Sequence, residues 1–190
     1  MRHCRVLSWL LTGAIALPLA GCANSEGIGG PTAPSSVSPA LASHEDRRPL
    51  LLENAPFKGA DSGSFEFTLD SCAAGLAPLR THTKGTGTLI GAYSFETQEC
   101  FDTTAFTFSG SFTIAAANGD TLSGDYAGHI TGFLDDGTST YAFTATVTGG
   151  TGRFAGATGT FSGTGQANLA TFQESRAFSG TISGVRRGHS

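Results

Sequence analysis

The sequence contains none of the residue patterns that mark the commoner kinds of active site. No G-x-S-x-G segment occurs, which excludes the nucleophile turn of α/β-hydrolases. The histidines beyond residue 21 are His44, His82, His129 and His189, and no two of them have metal-ligand spacing. We therefore expect no metal, no cofactor and no catalytic residue of these types.

Basic residues are also scarce, which argues against a nucleic-acid partner. The chain has 11 Lys and Arg against 15 Asp and Glu, a formal net charge of −4, and its lysines are Lys58 and Lys84. Loss of residues 1–21 would remove Arg2 and Arg5 but no acid, and would leave the charge at −6. A chain this acidic is a poor candidate for nucleic-acid binding.

The apolar run from Val6 to Leu17 is too short to span a bilayer. It follows Arg2 and Arg5, and this order is typical of a cleaved secretory signal. Residues 1–21 are therefore predicted to be a signal peptide.

The signal ends in Leu19-Ala20-Gly21-Cys22, which resembles the bacterial lipobox. That resemblance implies acylation of Cys22 and a membrane anchor without a transmembrane helix. Ala23 follows the cysteine, and resemblance to lipoproteins of diderm bacteria favours the outer membrane. An ordinary signal with a chance cysteine is the alternative.

Residues 22–55 are predicted to be a flexible tether, since Pro31, Pro34, Pro39 and Pro49 lie among Ser, Gly and Ala without apolar periodicity. Beyond it, Cys72 and Cys100 remain in an oxidising compartment. A disulfide between them is the natural prediction, with two buried free thiols as the alternative.

Residues 56–187 show an apolar–polar alternation of period two, which predicts half-buried antiparallel strands. Asn118-Gly119 and Asp136-Gly137 are hairpin signals. The stretch from Thr81 to Phe101 fits one strand bent at Gly91 or two strands, so we expect a small antiparallel barrel of seven or eight strands. The aromatic residues on inward positions are Phe65, Phe67, Phe95, Phe106, Phe108, Phe112, Phe143, Phe161, Phe178, Tyr93, Tyr126 and Tyr141.

Glycine recurs two residues after a large apolar side chain, as in Phe108-Ser109-Gly110 and Phe178-Ser179-Gly180. On one strand face this spacing predicts tight coiling and room for a neighbouring ring. A glycine-rich corner lies between two strands, and its glycines can adopt a positive φ. Phe154 in this corner is predicted to cover one end of the barrel. Thr151 is a candidate N-cap for a single helical turn there. The corner comprises Gly149, Gly150, Thr151, Gly152, Arg153 and Phe154; its partial G-x-G-x-x-G/A match is rejected because strand, not helix, follows.

The segments GGTGRFAGATGTFSG, AANGDTLSGDY and KGTGTLIGAYSF resemble those of uncharacterised bacterial secreted proteins. The corner is also similar to that of the allene oxide cyclase and dirigent barrels of plants. The resemblance covers about residues 57–187 and implies an eight-stranded barrel, small hydrophobic ligands and, for dirigent proteins, steering of coupling reactions. It carries over no catalytic residue.

The inward positions are expected to offer only two charged residues, Glu99 and Arg176, and these are the candidates for a binding site. Glu99 and Arg176 are predicted to line a pocket, if one exists, together with Tyr93, Tyr126 and Tyr141. The alternative places both charges at strand ends in water, since charged residues are rarely buried. Asp135-Asp136 is interpreted as an acidic turn and not as a calcium site, because it has too few ligands.

Three classes of function remain open. The first is a non-catalytic envelope lipoprotein that binds or interacts with an envelope protein or another partner. The second is a barrel that binds a small hydrophobic ligand, with or without isomerase or dirigent-like activity. The third is a purely structural surface lipoprotein. Because the inward rings are enough to fill a barrel of about eight strands, we expect a filled interior and no catalysis.

Overall fold

The structure is a computed structural model that describes residues 50–187. The predicted signal peptide, the predicted lipidation at Cys22, nearly all of the tether, His44 and His189 lie outside the described residues. Within them, no helix has the length and apolar content needed to cross a membrane.

Eight antiparallel strands form a closed barrel, as the alternation of the sequence predicts. Each pairs with the next along the chain, and the first also pairs with the last, so the barrel has no free edge. The strands are β2 (Ala55–Phe67), β3 (Leu76–Gly87), β4 (Gly91–Asp102), β5 (Thr107–Ala116), β6 (Thr121–Phe133), β7 (Thr138–Gly150), β8 (Thr158–Asn168) and β9 (Gln173–Ser183).

The stretch from Thr81 to Phe101 forms two strands, which settles the strand count at eight. β3 and β4 pair from Leu76↔Asp102 to Gly87↔Gly91, and a turn at residues 88–90 joins them. The predicted turns at Asn118-Gly119 and Asp136-Gly137 are also present, each in a four-residue connection.

One end of the barrel is closed by the glycine-rich corner and the two ends of the described chain. β1 (Leu51–Leu52) pairs with β10 (Val185–Arg186), and a single 3₁₀ turn, η1 (Gly152–Phe154), contacts β10. Phe154 is fully buried there, as predicted, and Val185 is 2% exposed.

The local geometry of the corner differs from the prediction at two points. Gly149 and Gly150 end strand β7, and of the three corner glycines only Gly152 has a positive φ, of 57°. Thr151 occupies the N-cap position, but its side chain makes no capping hydrogen bond. Its Oγ1 accepts instead from the backbone N–H of Thr121, which ties the corner to β6.

Aromatic rings fill most of the interior, as predicted. Phe161 is central, with its ring centroid 4.8 Å from that of Phe178, 5.3 Å from Phe57 and 5.4 Å from Phe112. The prediction of a buried ring is wrong at two positions. Phe67 is the last residue of β2 and is 52% exposed, and Phe106 lies before β5 in a turn with positive φ and is 43% exposed. Strand parity assigns a face, but it does not show where a strand stops.

The inward glycines make room for rings of neighbouring strands. A Cβ at Gly163 would overlap the Ala177 carbonyl oxygen of the neighbouring strand and lie 2.9 Å from the Phe143 ring. One at Gly124 would overlap the Thr146 carbonyl oxygen and lie 2.9 Å from the Phe112 ring. At Gly128 a Cβ would overlap the Phe108 ring. These glycines therefore hold the space that lets strands coil tightly around large side chains.

Cys72 and Cys100 form the predicted disulfide, with their Cα atoms 5.8 Å apart. Cys72 lies in the loop between β2 and β3, and Cys100 lies near the end of β4. The bridge therefore fixes a loop at the end of the barrel opposite η1.

Candidate functional site

The candidate site is at the open end of the barrel, where β2, β4, β6 and β8 end. Large apolar side chains are exposed in or beside the loops at this end, and together they are called the apolar rim: Phe67, Leu69, Phe106, Phe133, Leu134, Leu169 and Phe172. Exposed apolar surface gathered in one place marks a site of contact with a ligand or a partner.

Inside the rim lies a pocket of about 80 Å³, room for roughly two or three water molecules. Its apolar lining includes Phe65, Phe67, Leu79, Phe101, Phe108, Ile130, Ala167 and Leu169, and its polar lining is Glu99, Tyr126, Ser139, Tyr141, Glu174 and Arg176. The pocket is small because rings fill the barrel below it.

Arg176 is the centre of a buried polar network behind the pocket. Its Nε donates a hydrogen bond to Asp61 Oδ1 at 2.8 Å, and its Nη2 donates to Thr83 Oγ1 at 3.2 Å. Nη2 also lies 3.1 Å from Glu174 Oε1, and the guanidinium lies over the Phe95 ring at 4.0 Å from its centroid. Burial would lower the pKa of Arg176, but Glu174, Tyr141 and Asp61 together raise it above its ordinary value.

Two tyrosines hold the carboxylates of this network in place. Tyr93 Oη donates to Asp61 Oδ2 at 2.9 Å, and Tyr141 Oη donates to Glu174 Oε1 at 2.8 Å. Burial raises the pKa of both tyrosines, and the neighbouring carboxylates raise it further. Both phenols therefore stay protonated and serve as hydrogen-bond donors.

Glu99 is a buried charged residue of the pocket that the network does not satisfy. Its Oε2 is buried and has no hydrogen-bond partner within the described part of the chain. Burial raises the pKa of Glu99 to about 8; Glu174 adds to the shift and Arg176 opposes it. A buried carboxyl group without a partner is costly, and the cost is relieved by a donor from a ligand or from water.

The structure brings four of the five predicted pocket residues to one place. Glu99, Arg176, Tyr126 and Tyr141 line the pocket, whereas Tyr93 lies behind it on Asp61. The alternative that both charges sit in water at strand ends is wrong for Arg176, whose side chain is 2% exposed.

Sequence reasoning missed two charged residues of the site, Asp61 and Glu174. The expectation that inward positions offer only Glu99 and Arg176 is therefore wrong. Strand parity was the available signal. Asp61 lies four residues from both Phe57 and Phe65 and so shares their inward face of β2, and Glu174 lies two residues before Arg176 on β9.

The predicted corner residues lie at the other end and make structural contacts. Arg153 covers the Phe154 ring, with its Cζ 4.9 Å from the centroid, and its Nη2 donates to the Ile90 carbonyl at 3.2 Å. Phe154 packs in the core. Nothing in this corner adds to the pocket.

Other surfaces of the described residues carry less chemistry. Within residues 50–187, no group of three His, Cys, Asp or Glu side chains could hold a metal ion, and Asp136 accepts the backbone N–H of Thr138 in an acidic turn. A shallow depression of about 560 Å³ on the outer wall is lined mainly by small side chains such as Ala127, Ala142 and Ser179. It holds no buried charged group.

The chain matches no protein-family model, no curated protein and no solved structure. Function must therefore be inferred from the site itself.

Proposed function

We propose that the protein is an envelope-anchored binding module whose open barrel mouth takes a small molecule with an apolar part. The observation that carries this proposal is the coincidence of the apolar rim with a pocket that holds an unpartnered buried carboxyl group. The rim offers apolar area to the body of a ligand, and the pocket offers hydrogen-bonding groups to its polar head. Ligand sites combine apolar walls with a few placed polar groups in this way.

The disulfide supports this use of the open end. The Cys72–Cys100 bridge holds the loop that carries Leu69 against β4, next to Glu99. A rim fixed before binding loses less conformational entropy when the ligand arrives. The disulfide thus favours a binding site that is preorganised before the ligand arrives.

The proposed location comes from the sequence. The apolar run, the Leu19-Ala20-Gly21-Cys22 segment and Ala23 support export and acylation at Cys22, in an outer membrane where the organism has one. Cys22→Ser should move the protein from the membrane fraction to the soluble fraction and abolish labelling by a palmitate analogue. Membrane partition that is unchanged in this variant would remove the anchor from the proposal.

Binding at the mouth is tested by titrating the full chain with Nile red, a neutral dye whose fluorescence rises in apolar surroundings. Leu169 on the rim is 51% exposed, and Leu51 at the closed end is 50% exposed. Leu169→Asp should weaken dye binding about tenfold, because burial of one leucine side chain is worth about that change in affinity. Leu51→Asp should leave dye binding unchanged. Equal binding by wild type and both variants, or no binding by wild type, would count against the proposal.

A second candidate function is acid–base catalysis, in line with the resemblance to allene oxide cyclase and dirigent barrels. The specific observation is Glu99, because a carboxyl group with its pKa raised to about 8 can exchange a proton near neutral pH. Incubation with a metabolite extract should then yield an isomer, a product of unchanged mass and new retention time, with wild type and not with Glu99→Gln. Identical profiles from the two proteins leave binding as the function.

A further inference from the structure

Resting on the proposed function, we infer that the polar head of the ligand is a cation. The geometry points to a primary or secondary ammonium group that donates to Glu99 in the pocket. An alkyl or aryl body then lies on the apolar rim.

The charges of the site favour a cation over an anion. Arg176 is the positive group of the pocket, and its guanidinium already lies 2.8 Å from Asp61 and 3.1 Å from Glu174. Two carboxylates therefore share one positive charge before Glu99 is counted. A ligand carboxylate or phosphate would meet the acidic side chains of Glu99 and Glu174, and the cation beside them is already paired.

Hydrogen bonding gives the same answer. Glu99 Oε2 is buried and lacks a partner. An ammonium group beside it favours the ionised form of Glu99, whose oxygens accept but do not donate. An ammonium group offers up to three donors and no acceptor, which is the complement of this lining. A charge-assisted bond to Glu99 would be among the stronger contacts available in the pocket.

The aromatic lining and the pocket size restrict the head further. Phe65, Phe101, Phe108 and Tyr126 line the pocket, and ring faces attract cations. The barrel already places the Arg176 guanidinium over the Phe95 ring. A volume of about 80 Å³ admits a head of a few heavy atoms, so the rest of the ligand must lie outside on the rim.

The test uses three probes of similar shape and different charge. Phenethylamine, phenethyl alcohol and hydrocinnamate are titrated into the full chain by calorimetry near neutral pH. The amine should bind about tenfold or more tightly than the alcohol, as expected for hydrogen bonds to a charged group. Hydrocinnamate should bind more weakly than the alcohol.

Two variants on β4 separate the role of Glu99 from general surface charge. Glu99→Gln should reduce the preference for the amine over the alcohol to less than about twofold, because its neutral amide cannot pair with the ammonium charge. Glu96→Gln removes an exposed carboxylate beside His82 on the outer face of the same strand. It should keep the preference of wild type, and alcohol binding reports whether each variant has kept its pocket.

Proton release provides an independent readout. Because the pKa of Glu99 is raised to about 8, much of the free protein holds a proton on Glu99 at neutral pH, and the ammonium head should expel it. The other titratable and charged groups lining the pocket are Tyr126, Tyr141, Glu174 and Arg176, with Asp61 and Tyr93 behind them. Amine binding should therefore release a proton in wild type and not in Glu99→Gln, measured from binding heats in buffers of different ionisation enthalpy.

The outcomes separate this inference from the proposed function. Alcohol or hydrocinnamate binding as tightly as the amine would overturn the cation inference and leave the binding module standing. An amine preference that survives in Glu99→Gln would overturn the assignment to Glu99. Failure of all three probes, together with failure of Nile red, would overturn both proposals.

Discussion

Arg176 keeps its charge inside the barrel because its partners are arranged around it before any ligand arrives. Asp61 and Glu174 share its charge, Thr83 accepts from it, and the Phe95 ring covers its face. Buried charges of this kind contribute little net stability while the set is complete, but loss of one member leaves an uncompensated charge. The network therefore holds the site together more than it stabilises the fold.

Removal of the Arg176 charge should show that the buried carboxylates depend on their counter-ion. Arg176→Met should lower the free energy of unfolding by about 3–5 kcal/mol, since Asp61 and Glu174 lose their counter-ion. The control is Arg80→Met, because Arg80 pairs with Asp70 at the surface at 3.1 Å and exposed pairs contribute about 0–1 kcal/mol. Denaturant unfolding of both variants is the measurement, and equal losses would contradict the buried network.

Glu99 should make stability depend on pH in a specific direction. Its folded pKa of about 8 lies above its ordinary value of 4.5, so between these values the folded state holds a proton that the unfolded state has lost. The contribution of Glu99 to the free energy of unfolding is therefore largest below about pH 4.5. It declines as pH rises and levels off above about pH 8. The decline is at most about 1.4 kcal/mol per pH unit.

Unfolding curves across this range, compared with those of Glu99→Gln, isolate that contribution. The difference in unfolding free energy between wild type and variant should fall with rising pH and then level off near pH 8. A difference that stays constant over the range would mean that Glu99 titrates like an exposed carboxyl group.

At the scale of the strands, the fold depends on glycines that hold space open for rings. Gly163 faces Phe143 across β7 and β8, whereas Gly149, near the end of β7, has no atom within 4 Å of an added Cβ. Gly163→Ala should destabilise by about 3 kcal/mol or more, because the added Cβ overlaps the Ala177 carbonyl of the neighbouring strand as well as crowding a ring. Gly149→Ala should be neutral or slightly stabilising, because it reduces the freedom of the unfolded chain. Thermal unfolding of the pair would contradict this account if the two changes were alike.

The disulfide lies at the open end, and its loss should loosen the structure mainly at that end. It joins residues 28 apart, and closing such a loop is worth roughly 3–4 kcal/mol in the chain-entropy treatment. Cys72→Ser together with Cys100→Ser should lower stability by about this amount. Hydrogen exchange should show its largest increase in the loop between β2 and β3, and an increase spread evenly over the barrel would be the contrary result.

The sequence allowed the strands to be predicted better than the site, for a physical reason. Alternation assigns each residue to a face, and this predicted the packed rings of Phe95, Phe112 and Phe161 correctly. Depth within the barrel depends on how the eight strands close and stagger, and a single strand does not contain that information. Asp61 and Glu174 lie on inward positions by parity, but only the closed barrel brings them to Arg176.

At the scale of the whole molecule, the two ends of the barrel differ in composition. The closed end is packed with apolar residues such as Phe154 and Ile182, both fully buried. The open end carries the apolar rim, the disulfide and the buried charges. The closed end packs the core, and we propose that the open end binds the ligand.

An NMR titration of the full chain with phenethylamine tests this claim most directly. Amide signals of pocket and rim residues such as Phe101, Ile130 and Leu169 should shift, while those of Ala127, Ala142 and Ser179 on the outer wall and of Phe154 at the closed end stay in place. Shifts confined to the outer wall or to the closed end would contradict the account.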